Sequence, residues 1–78
     1  MKLPAMIPVS SRNLASIGFD GADLFVSFQD GSVYQYEKVA QETYANGLAA
    51  PSANDWLRAD VKGRYKHRKI QDAKPHSF

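Results

Sequence analysis

The chain contains no cysteine, which excludes a disulfide framework, a thiolate nucleophile and any zinc site built on sulfur. Histidine is almost as scarce, with only His67 and His76 available as strong transition-metal ligands, so no metal or other cofactor is expected. No apolar run approaches the roughly 20 residues that span a bilayer. The opening stretch Met1-Lys2-Leu3-Pro4-Ala5-Met6-Ile7-Pro8 has one charged side chain and two prolines, unlike a secretory leader, and the expectation is a cytoplasmic protein without membrane contact. Catalytic signatures are missing as well: there is no Gly-x-Ser-x-Gly elbow, phosphate loop, paired-carboxylate spacing or His-x-x-x-His pair. His67 has the right intrinsic pKa for a general base beside Asp60 or Ser52. Five cations around it in sequence (Lys62, Arg64, Lys66, Arg68, Lys69) oppose its charged form, and no enzymatic activity is expected.

What remains is a chain of 78 residues, 44% hydrophobic and 12% aromatic. That is enough large apolar surface for one core without staples, though a chain this short buries only about 60–65% of its unfolded surface. Charge is unevenly placed. Residues 1–55 hold three cations against six acids, a net of −3, whereas residues 56–78 hold seven cations against Asp60 and Asp72, a net of +5. Such an asymmetry points to a localised surface for an anionic partner.

Period-two alternation marks the first half. Ala15, Ile17 and Phe19 alternate with Ser16 and Gly18, and Leu24, Val26 and Phe28 alternate with Phe25, Ser27 and Gln29. After Asp30-Gly31 the alternation resumes through Val33, Tyr34, Gln35 and Tyr36. Asp-Gly between two such runs predicts a hairpin closed by a two-residue type I′ turn. Tyr34 and Tyr36 are expected to share the inward face with Leu24, Val26 and Phe28, since they bring more apolar area than Val33 and Gln35. Phe25 then falls on the opposite face, where it is either an ordinary exposed aromatic or part of a homodimer surface.

Beyond Val39 the period lengthens. Gln41 and Glu42 suit a first helical turn, and Tyr44 and Leu48, four apart, supply the packing of a short helix over 40–50 that Gly47 weakens by up to about 1 kcal/mol relative to alanine. Pro51 ends it. Ser52-Ala53-Asn54-Asp55 has the form of a capping box, with Trp56, Leu57 and Val61 following and Gly63 as a stop. Trp56 is either core or, beside Leu57 and Arg58, an exposed interface anchor. Residues 64–70 alternate cations with Tyr65 and His67, as an edge strand or an extended basic arm.

The expected architecture is therefore α+β: a three-stranded antiparallel meander packed by one or two short C-terminal helices, with an extra edge strand open at 64–70. Residues 1–8 are an N-terminal extension, 9–70 the domain and 71–78 a flexible tail.

Val9-Ser10-Ser11-Arg12-Asn13-Leu14-Ala15-Ser16-Ile17-Gly18-Phe19-Asp20, Gly31-Ser32-Val33-Tyr34-Gln35-Tyr36, Ala50-Pro51-Ser52 and Lys62-Gly63-Arg64-Tyr65 follow one another as in the KTSC domain, which the chain resembles from about Val9 to Ile70. That family occurs at the C-terminus of some lysyl-tRNA synthetases and as stand-alone proteins of bacteria and their phages. The resemblance implies a small β-meander with helices and, through its company with a tRNA enzyme, contact with RNA. Ala40 and Asn54 stand where the family usually has Pro and Gly, Arg58 where it has Asn, and Lys66-His67 where Pro-Tyr is common.

The functional expectation is a non-catalytic binding module. An extended 64–70 would direct Arg64, Lys66 and Arg68 to one face and Tyr65, His67 and Lys69 to the other, cations about 6–7 Å apart beside aromatics that can stack on unpaired bases. Arg58, Lys62, Arg64, Tyr65, Lys66, His67, Arg68, Lys69 and Trp56 are the candidate contact residues, for RNA or single-stranded DNA. Two alternatives stand beside this: an acidic protein surface, as for a phage or bacterial factor that docks on and modulates a host protein, or a solvated edge that merely resists aggregation.

Overall fold

A computed structural model describes residues 4–9 and 11–72. Alternation of the kind expected builds an antiparallel sheet, but of five strands rather than three: β1 (Ile7–Pro8), β2 (Leu14–Phe19), β3 (Leu24–Phe28), β4 (Val33–Tyr36) and β5 (His67–Gln71), in the order β1-β2-β3-β4-β5. Between β4 and β5 the chain leaves the sheet to form α1 (Gln41–Ala49), α2 (Ala53–Trp56) and a π-helical turn over Leu57–Val61, closed by the Lys62 amide donating to the Leu57 carbonyl at 2.8 Å. The two extra strands are at the edges. Two residues of β1, one of them a proline, give too little alternation to recognise, and proline is tolerated there because an edge strand has an unpaired side. The N-terminal extension thus enters the sheet, and the edge strand expected over 64–70 begins only at His67 and takes in Gln71. The remainder of the expected tail, 73–78 with His76, lies outside the described residues.

Register places Leu24 opposite Tyr36, Val26 opposite both Ile17 and Tyr34, and Leu24 opposite Phe19, so the tyrosines do share the inward face. Leu14, Ile17, Leu24, Val26, Tyr36 and Val39 meet Ala53, Trp56, Leu57 and Val61 in one buried cluster, with Tyr44 stacked on Phe19 at 5.2 Å between ring centroids.

Local chemistry changes four expectations. A bulge at Ala15 lets Leu14, fully buried opposite Phe28, take the inward place that strict alternation assigns to Ala15. The β3–β4 hairpin is not a two-residue type I′ turn: only Gly31 has positive φ (95°), the Gly31 amide donates to the Phe28 carbonyl (2.9 Å), and Phe28 donates to Ser32 (2.8 Å). Asp30 keeps negative φ because its carboxylate accepts from the Ser32 amide and hydroxyl at 2.9 and 2.7 Å, an arrangement that holds a three-residue loop. Leu48 is 42% exposed and does not anchor α1. Trp56 is core, not an interface anchor: it is 4% exposed and its Nε1 donates to the Thr43 carbonyl at 3.0 Å.

Gly47 explains both of the last two. Its missing side chain admits the indole, since a Cβ there would fall 2.5 Å from Trp56 Cζ2, and this close approach lets Trp56 pack on α1 while Leu57 joins the sheet residues. Ser52 caps α2 as expected, accepting from the Asp55 amide at 3.3 Å, but the Asp55 carboxylate turns to Arg58 at 2.6 Å instead of completing the box.

The back face is not bare. Phe25 is 2% exposed, and the chain from Pro4 to Met6 runs across Gly18, the residue directly opposite it. The homodimer surface expected from a bare Phe25 therefore loses its basis.

Candidate ligand groove

Past the π-helical turn, Gly63 (φ 80°) reverses the chain and Tyr65 ties it down, packing on the core with its hydroxyl 3.2 Å from Thr43 Oγ1. The Lys66 carbonyl accepts from Glu37 at 2.8 Å, and β5 then pairs along β4 with His67 opposite Tyr36, Arg68 opposite Gln35 and Lys69 opposite Tyr34. Strand alternation accordingly separates neighbours. His67 and Lys69 share the face of Tyr34 and Tyr36, while Arg68 is on the back, its Nη2 3.5 Å from Gln35 Oε1.

The single row of Arg64, Lys66 and Arg68 does not exist, because Arg64 and Lys66 precede the strand. Arg64 turns back, its Nε donating to the Ala59 carbonyl at 3.0 Å, and Arg58 is paired with Asp55 on the helix. Lys66 is exposed beside Tyr65. Of the nine residues expected at the site, Lys62, His67 and Lys69 are brought together. Trp56 is removed to the core, Tyr65 acts as a structural peg, and Arg58, Arg64, Lys66 and Arg68 lie elsewhere on the surface.

Lys62 and His67 line a groove of about 470 Å³ on the inward face, where the helices stop short of the sheet's β4–β5 side, and Lys69 lies next to it beside Tyr34. Phe28, Tyr34, Tyr36 and His67 form its aromatic floor; Asp30 and Ser32 of the hairpin border it on one side, Lys62 and Gly63 on the other. The Tyr34 ring stands edge-on to Phe28 at 5.5 Å, and the His67 ring lies 5.9 Å from Tyr34 and 5.4 Å from Tyr36. Lys69 Nζ is 6.0 Å from the centre of the Tyr34 ring and 3.4 Å from Asp72.

The Ser32 hydroxyl and then the Ser32 amide, with Lys69 adding a smaller attraction, hold the Asp30 carboxyl below the usual range, so it is an acceptor at neutral pH. Burial, seconded by Tyr34, pushes the Tyr36 phenol above its usual value and keeps it neutral. A flat ring can therefore lie on the floor, with ammonium groups and one carboxylate to hold its substituents.

A second cleft of about 310 Å³ shares Phe28, Asp30 and Lys62 with the first and adds Arg12, Asn13, Gln29, Asn54 and Leu57. Asn13 Nδ2 donates to Asn54 Oδ1 at 3.2 Å across its wall. The contributions of Phe28, Asp30, Ser32 and Tyr34, and of the second cleft, were not evident from the basic arm. The inward alternation of Phe28 with Tyr34 was the available signal, since helices so short cannot cover a whole sheet face.

The KTSC domain model matches residues 10–73, most of the chain. The chain belongs to the KTSC domain family. A KTSC domain protein from Yersinia pestis, known from a crystal structure, superposes with a TM-score of 0.80 at 32% identity, over 85% of this chain and 96% of that one. Among curated proteins none matches. The KTSC fold seen here is thus shared with a solved relative, strands and helices together. No helix among the described residues is long and apolar enough to cross a membrane.

Proposed function

We propose that this KTSC domain is a non-catalytic binding module that takes single-stranded nucleic acid, RNA or single-stranded DNA, in the aromatic groove, with the basic C-terminal segment contributing through Lys62, His67 and Lys69. The observation that carries the reading is the juxtaposition of an open aromatic floor, Tyr34 with His67, and Lys62 in one 470 Å³ groove, with Lys69 Nζ 6.0 Å from the Tyr34 ring. Bases stack on such rings for about 1–3 kcal/mol each without sequence preference, and ammonium groups beside them hold the backbone. Lys62 at the border of the groove and Lys69 beside Tyr34 offer an anionic strand two ammonium groups, set against Asp30 in the lining and Asp72 next to Lys69. A cytoplasmic location suits this ligand, and a chain without cysteine is indifferent to a reducing compartment.

The test is fluorescence anisotropy of a labelled single-stranded oligonucleotide over a salt series. Two or three neutralised phosphates give a log–log slope of about −1.4 to −2. Tyr34→Ala combined with Lys62→Gln should abolish binding while the protein stays folded, and a wild-type chain that retains no oligonucleotide at low salt overturns the reading.

One observation favours a second reading. Among the described residues β5 is a five-residue edge strand with one unpaired side, so an acidic segment of a host protein could add as a sixth strand beside Arg68 and Lys69. Such a complex, formed mainly through main-chain bonds, would depend far less on salt and would survive Tyr34→Ala.

A further inference from the structure

The second cleft is chemically unlike the first. Where the first offers rings, the second offers amides: Asn13, Gln29 and Asn54 line it together with Arg12. Two of these amides are oriented by bonds within the protein. Gln29 Nε2 donates to the Leu14 carbonyl at 3.0 Å and reaches the Ser11 carbonyl at 3.4 Å. Asn13 Nδ2 donates to Asn54 Oδ1, and among the described residues Asn13 Oδ1 and Asn54 Nδ2 make no hydrogen bond, which leaves an acceptor beside a donor at the cleft wall. That pairing is what a base edge requires, because each nucleobase presents a donor or acceptor next to its complement on an edge that is accessible once the strand is unpaired. Lys62 lines both clefts, so it stands where they join.

Building on the groove's reading as a single-strand site, we propose that the two clefts together hold a two-nucleotide step: one base stacked on Tyr34 and His67, the intervening phosphate at Lys62, and the next base hydrogen-bonded by Asn13 and Asn54. Selectivity then resides in the second position only. The stacking cleft accepts any base, whereas an amide pair fixed by its own hydrogen bond discriminates between edges by directed bonds. Separate residues therefore control how tightly and how selectively the strand is held.

The experiment compares mononucleotides, the sixteen RNA dinucleotides and a mixed-sequence oligonucleotide by tryptophan and tyrosine fluorescence titration. Dinucleotides should bind about tenfold or more tighter than either component mononucleotide, with affinity varying by base at one of the two positions and flat at the other. Asn54→Asp keeps the acceptor that Asn13 needs and removes the donor, so it tests the contact without releasing the tie between β2 and α2. It should erase the variation at the selective position, as should Asn13→Ala. Lys62→Gln should lower the salt slope of dinucleotide binding by about 0.7, the contribution of one phosphate. Oligonucleotide binding with mononucleotides as tight as dinucleotides, or base preference that survives Asn54→Asp, overturns the two-cleft proposal alone. Absence of binding by every probe overturns it together with the underlying single-strand reading.

Discussion

The inward face of the sheet is aromatic and aliphatic from β2 to β4 and continues on β5 with His67 and Lys69, yet its two halves meet different fates. Over β2 and β3 it is sealed by α2 and the π-helical turn, with Trp56 and Leu57 almost fully buried, and by α1 through Tyr44 on Phe19. Over β4 and β5 the same kind of side chains, Tyr34 and His67 with Phe28 at the hairpin, look into an open groove. Helix coverage separates core from surface even within one residue type, since Tyr36 is buried in the cluster while Tyr34, on the same strand face, is only partly covered. A nine-residue helix and a single turn joined to a π-helical turn cover only part of a five-stranded sheet, and the chain must spend residues 62–66 returning to β4.

The largest effect that can break this comparison lies on the sealed side. Trp56→Ala should cost about 3–5 kcal/mol in chemical denaturation, enough to approach the whole stability of so small a domain. Gly47→Ala, which places a methyl against the same indole, should cost about 1–3 kcal/mol through overpacking, although alanine is the better helix former. If Gly47→Ala instead stabilised the protein, the tight seat of Trp56 on α1 would be wrong.

On the open side the expected ranking reverses: little change in stability and a large change in binding. Tyr34→Ala should lower oligonucleotide affinity by about 1–3 kcal/mol in the anisotropy titration, and Arg68→Gln, on the back face, should change it by a few tenths at most.

Acid titration probes the hairpins that border each half. Backbone amides of Asp23 and then Ala22 hold Asp20 below the usual carboxylate range, as Ser32 does Asp30. A carboxyl depressed on folding stabilises the native state fully above its unfolded pKa, and that support drains as pH falls through the lower folded value. The melting temperature should therefore decline on acidification below the ordinary carboxylate range, and Asp20→Asn with Asp30→Asn should flatten the decline. The smallest effect concerns Lys38, a non-glycine at φ 55° two residues after β4. Lys38→Gly keeps the amide that donates to Asp23 and should change the melting transition little, or raise it by up to about 1 kcal/mol of relieved strain.

Much of the fold was legible because it follows from short-range rules. Alternation located β2, β3 and β4, the register of Tyr34 and Tyr36 followed from apolar area, and Pro51-Ser52 marked the break between helices. Features set by distant contacts were not. Two residues of β1 acquire meaning only against Ile17 and Ser16. Gly47 reads as a helix weakness until Trp56 is seen against it, and Phe25 reads as exposed until Pro4–Met6 crosses Gly18. For the proposed site, the basic segment supplies Lys62 and His67 to the groove. Alternation put His67 and Lys69 on one face and Arg68 on the other, as expected, but β5 starts at His67 rather than Arg64, so Arg64 and Lys66 fall outside the strand and the row of cations is lost.

The most direct measurement is a map of backbone amide chemical-shift changes on titrating a single-stranded oligonucleotide into the labelled protein at low salt. Saturable shifts concentrated at Phe28 to Tyr34 and at Lys62 to Lys69, with the Gly18–Phe25 region of the back face unmoved, are the expected result. Shifts confined to Arg58, Arg64 and the outer helix surface, or none at all, would contradict the claim that the uncovered half of the inward face is where this KTSC domain meets its ligand.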